Sequence, residues 1–94
     1  MATERLDETE IGRLLEGSDW ERDGETIARE FERADFADAI AFVQRVAELA
    51  EAANHHPDIL VHDYKHVRVT LSTHSVGGLT ERDFQLAGQI DAAS

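Results

Sequence analysis

The chain holds a single proline, Pro57, and it stands where one apolar rhythm gives way to another. Before it, Phe36, Ala39, Ile40, Phe42, Val43, Val46, Ala47, Leu49 and Ala50 recur at helical spacing. After it, Val67, Val69 and Leu71 alternate with His66, Arg68 and Thr70, as in a strand with one buried face. Proline fixes its own φ and turns the preceding residue away from helical geometry, so the helix must end before His56. Asp35 is placed to cap its start, with Asp38 three residues on as the capping-box acid. A long helix over residues 35–53 followed by a strand over 65–72 is therefore expected.

The flanking segments complete an order. Residues 6–16 carry Ile11, Leu14 and Leu15 on one face and end at Gly17, a natural helix terminator. Residues 20–22 and 25–31 bracket the turn pair Asp23-Gly24 and predict a hairpin, with Ile27 and Phe31 on one face of its second strand. Residues 58–61 form a short strand, and His62, Asp63 and Tyr64 a turn into the strand already described. After the Gly77-Gly78 break, Thr80 caps a last helix with Asp83 as its third residue and Phe84, Ala87 and Ile90 on its buried side. Helix, hairpin, helix, hairpin, helix predicts an α+β fold: a four-stranded antiparallel sheet with helices packed on one face, in a single domain spanning residues 1–94.

Composition narrows function. Twenty acidic residues give a net charge of −11, which opposes binding to nucleic acid phosphates. Lys65 is the only lysine among nine cations, and an acidic, arginine-rich surface of this kind suggests a cytoplasm rich in salt. The absence of cysteine excludes disulfide, thiolate and cysteine-based zinc chemistry. No apolar run approaches a membrane span and the first ten residues lack a signal-like core, so a cytoplasmic location is expected.

Chemistry concentrates around Pro57. Glu51, His55 and His56 precede it, and His74 follows the second strand, so three imidazoles can converge from two parts of the chain. Imidazole is the side chain whose ordinary pKa lies nearest neutrality, which makes such a cluster a candidate proton-transfer site. A zinc site is the competing reading. Against it, His55 and His56 are adjacent on an extended segment where side chains diverge, and the one histidine pair four residues apart, His62 and His66, flanks a turn rather than sharing a helix face.

Taken together, Glu51, His55, His56, Pro57, His74 and Asp83 resemble the signature of the pterin-4a-carbinolamine dehydratase family. The runs 70–74 and 78–83, together with Trp20, residues 31–36, Phe42 and residues 45–47, are similar to that family across nearly the whole chain. The chain departs from it at Ile59 and Arg33, where the family often has aromatic residues, and in a turn near Tyr64 that is one residue longer. The resemblance implies dehydration of a 4a-hydroxytetrahydropterin to the quinonoid dihydropterin, with no cofactor and no metal, downstream of an aromatic amino acid hydroxylase. It also implies a homodimer or homotetramer, which agrees with an apolar band on the 35–53 helix wider than one sheet-facing stripe requires. The other implied reading is a regulatory or dimerisation module that keeps the fold without turnover, in some microbes linked to molybdopterin metabolism.

Within that resemblance, roles can be assigned. His55, nearest the partially negative end of the long helix, and His74 are the expected general acids, and His56 the base or the residue that orients substrate. Glu51, one helical turn before His55, is expected to hydrogen-bond it. Asp83 has a structural role as capping acid beside a role in the site. Trp20 either stacks on substrate or covers the core, and His62 and His66 flank a turn as solvated residues.

Overall fold

The computed structural model describes residues 4–94. Its elements run α1 (Glu8–Leu15), β1 (Glu21–Asp23), β2 (Thr26–Glu32), α2 (Phe36–Ala53), β3 (Asp58–His62), β4 (His66–Leu71), a 3-10 turn (His74–Val76) and α3 (Glu81–Ala93). The strands form one antiparallel sheet in the order β1-β2-β4-β3. The fold is the α+β arrangement that the period change at Pro57 predicts.

β4 is central because both of its edges are paired and its inner face is wholly apolar. Val67, Val69 and Leu71 have no solvent exposure, and Ile27 pairs with Leu71 and Phe31 with Val67 across the β2–β4 ladder. Burying each such aliphatic side chain stabilises the fold by about 1.5–3 kcal/mol. The helices close over this face with Ala39, Phe42, Val46 and Ala50 of α2 and Leu86, Ala87 and Ile90 of α3. Phe31 lies 4.8 Å from Phe42, centroid to centroid, and Trp20 stands edge-on to Phe31. Arg33 lays its guanidinium 4.7 Å over the Phe42 ring in a cation–π contact.

Several boundaries differ from the sequence reading for local reasons. Leu6 lies outside α1, because Asp7 takes the N-cap by accepting from the Glu10 amide and the Leu6 amide instead donates to the Leu79 carbonyl. The first hairpin turns at Gly24-Glu25 rather than Asp23-Gly24. Asp23 pairs with Thr26, and Gly24, at φ +61°, takes the first turn position, where a II′ turn requires glycine. Asp35 caps α2 as expected, but the Asp38 carboxylate accepts from the Ala34 amide and Arg33 instead of closing the box on Asp35. Those two donors, the Ala34 amide first, hold Asp38 below the usual carboxylate range.

His62 and His66 are half-buried and engaged rather than freely solvated. Their rings stack at 5.4 Å on the open face of the sheet, and His62 Nε2 bonds Glu30, which reaches across from β2. Asp63 lies 3.4 Å from Nδ1. The Glu30 hydrogen bond is the main cause of a His62 pKa above the ordinary imidazole value of 6.5, with Asp63 adding to it. A folded-state pKa raised in this way gives stability that is complete below the unfolded pKa and is lost as pH rises through the folded one. His62→Gln is therefore expected to lower the melting temperature at about pH 5.5 and to change it little at about pH 9. An equal deficit at both would show that the pair contributes through packing alone.

Candidate active site

The site begins with the way α2 stops. Asn54 adopts the left-handed conformation (φ 50°, ψ 46°), its amide donates to Glu51 O, and the His55 amide donates to Ala50 O at 3.0 Å. This paired closure is a Schellman motif, which reverses the chain and drives the residue after the left-handed one toward the helix flank. His55 is consequently buried, with 7% of its surface exposed. His56 emerges on the other side and is exposed.

That reversal changes the partner of Glu51. The helical i, i+4 geometry expected between Glu51 and His55 ends at Asn54, and Glu51 Oε2 meets His56 Nε2 instead, at 2.5 Å. His55 Nε2 turns inward and lies 2.5 Å from Asp83 Oδ1.

Asp83 is fully buried at the start of α3. It closes the capping box expected of it, accepting the Thr80 amide on Oδ2 at 2.9 Å, and the same oxygen accepts the Thr73 hydroxyl at 2.8 Å. The Thr73 and Thr80 hydroxyls are 2.8 Å apart. Arg82, beside Asp83, donates to the Ala53 and Asn54 carbonyls at 3.1 and 2.6 Å, satisfying groups that the end of α2 leaves open. Asp83 thus has both a capping role and a direct contact with a site histidine.

His74 opens the 3-10 turn immediately after Thr73 and is exposed. Its loop is closed by Thr73 pairing with Gly78, where the Thr73 amide donates to Gly78 O at 2.9 Å. Asp83 therefore joins His55 at the end of α2 to Thr73, one residue from His74, at the end of β4. The arrangement supplies one buried, oriented imidazole and two exposed ones. Among the described residues, no three His, Asp or Glu side chains stand where they could hold a metal ion.

Trp20 lies elsewhere. Its indole is 4% exposed and donates to Asp91 Oδ1 at 2.8 Å, an oxygen that also accepts Arg29. Asp91 follows Asp83 by eight residues, about 12 Å along the helix axis. Of the two readings of Trp20, its placement in this chain is that of core cover.

Sequence reasoning gave Thr73 and Arg82 no individual role and Thr80 only its cap. Thr73 did carry a signal: it continues the alternation of Val67, Val69 and Leu71, and a hydroxyl on a buried stripe requires a partner.

Residues 4–93 match the family described as pterin 4 alpha carbinolamine dehydratase. A relative from Chloroflexus aurantiacus that bears the family's name is 53% identical over 88 residues, covering 93% of this chain and 94% of its own. The crystal structure of a Brucella melitensis protein described as a transcriptional coactivator/pterin dehydratase superposes with a TM-score of 0.88 at 37% identity, covering 95% and 97% of the two chains. A pterin dehydratase-like protein identified as a RuBisCO assembly factor in the alpha-carboxysome, 24% identical with a TM-score of 0.62 over 78% of this chain and 83% of its own, shares the fold. With its full element order, its His-His-Pro turn and its buried Asp83 in place, the chain belongs to the pterin 4 alpha carbinolamine dehydratase family.

Proposed function

We propose that the protein removes water from a 4a-hydroxytetrahydropterin, using His55, His56 and His74 as its proton-transfer groups. The observation that carries this reading is the Asp83 contact, which ties the end of α2 to the end of β4 so that residues flanking all three histidines share one support. In the reaction the bond from the hydroxylated carbon to oxygen breaks and a proton goes to the departing oxygen. The adjacent ring nitrogen gives up its own proton, and its electron pair closes the C=N bond. The balance needs no oxidant or reductant, and imidazoles that exchange protons near neutrality are chemically adequate. His55 and His74 serve as acids, while His56, steadied by Glu51 at the surface, accepts the nitrogen proton or orients the ring.

The substrate is supplied by an aromatic amino acid hydroxylase in the cytoplasm. The test is the rate of water loss from a synthetic 4a-hydroxytetrahydropterin. Acceleration proportional to protein concentration is expected, and a rate equal to that of buffer would contradict the assignment.

The same reading includes self-association through α2. Its inner stripe is buried, whereas Phe36 (55% exposed) and Ile40 (37%) lie outside with Ala47 on a second apolar stripe. A second copy of α2 covers this stripe in the proposed dimer or tetramer. Light scattering is expected to give a multiple of the 10.5 kDa chain mass, falling to the monomer in Ile40→Glu. A wild-type monomer would contradict it.

A further inference from the structure

With Asp83 as a carboxylate, the buried hydrogen bonds behind His55 have one consistent polarity. Thr73 gives its single hydroxyl proton to Asp83 Oδ2. The Thr73–Thr80 contact must then be donated by Thr80, whose oxygen is left to accept the Arg82 amide at 3.2 Å. Asp83 Oδ2 already receives two donors, Thr73 and the Thr80 amide, and the carboxylate is an acceptor only. Its Oδ1 therefore requires a proton on His55 Nε2.

Nδ1 is the remaining nitrogen. It makes no hydrogen bond to the described residues, and among those residues no buried side-chain nitrogen or oxygen is left without a partner, so Nδ1 is not sealed from solvent by them.

We infer that Thr73 is a positioning residue: held by Thr80, its hydroxyl fixes the plane of the Asp83 carboxylate, so that neutral His55 is the Nε2–H tautomer and exchanges protons with substrate through Nδ1 alone. The inference rests on the dehydratase reading for its consequence in turnover. When His55 acts as an acid, the proton leaves from Nδ1, and the ring is left in the tautomer that Asp83 already accepts. No ring flip is needed between cycles.

The test combines nitrogen-15 NMR of the imidazole of the ligand-free protein with steady-state kinetics. The wild type is expected to show neutral His55 protonated at Nε2 only. Thr73→Val keeps the shape and removes the donor; it is expected to lower kcat about tenfold or more with KM little changed, and to bring the Nδ1–H tautomer into the spectrum. Thr73→Ser, which restores the hydroxyl, is expected to return both readouts to the wild-type pattern. A wild-type ring protonated at Nδ1, or averaged between tautomers, overturns the inference whether or not Thr73→Val folds. So does a folded Thr73→Val with wild-type kcat and spectrum. A wild type without turnover would sink the dehydratase reading, while the spectrum of the ligand-free ring would still decide the polarity.

Discussion

Replacing Asp83 with alanine is expected to cost about 3 kcal/mol of folding stability or more, since each buried donor left without its acceptor costs about 1–3 kcal/mol. Three donors converge on that carboxylate: His55 Nε2–H, the Thr73 hydroxyl and the Thr80 amide. Asp83 has no solvent exposure, so water cannot replace the lost oxygens without rearrangement of α3 against α2. The substitution also removes the carboxylate of the α3 capping box. A urea melt measures the effect. A midpoint equal to wild type would mean that the network is replaced at no cost and that the account of the site's rigidity is wrong.

The second large effect is on turnover. His55→Ala and His74→Ala are each expected to lower kcat by about a hundredfold or more, the range for removing a general acid. They should differ in stability. His55 is buried and bonded to Asp83, so its truncation leaves that oxygen unpaired, whereas His74 is exposed and its loss should leave the urea midpoint nearly unchanged. Wild-type kcat in both variants would remove the assignment of these two residues as acids.

Much of this architecture was legible because single residues force it. Pro57 disfavours helical geometry at His56 and so bounds the long helix, and the alternation of Val67, Val69 and Leu71 admits one buried face. The differences arise where a backbone conformation, which spacing does not record, decides the partner. The left-handed Asn54 separates His55 from the helical register and gives Glu51 to His56. Gly24 moves the first turn by one residue because the turn type requires it there. In the β3–β4 hairpin, Asp63 and Tyr64 are both left-handed (φ 47° and 54°), a geometry that the longer turn there did not specify.

The candidate site shows the same division. Asp83 and Thr80 are read from sequence as a helix start, and that reading holds. The bond from Asp83 to His55 spans 28 residues, and only tertiary packing of α3 on α2 brings the two together. Trp20 shows the reverse case, since an aromatic that fits a ligand-stacking role is placed against Phe31 and Asp91 instead. Composition distinguishes these outcomes poorly, because burial and function favour the same residue types.

The central claim is that histidines from two distant parts of the chain serve one ligand. Carbon-13 NMR of the five imidazole rings during titration with a stable dihydropterin tests it most directly, with His62 and His66 on the open face of the sheet as internal controls. The account predicts that the His55, His56 and His74 signals shift along one saturating binding curve while His62 and His66 stay fixed. Movement of only one of the three, or of the His62–His66 pair in their place, would contradict it.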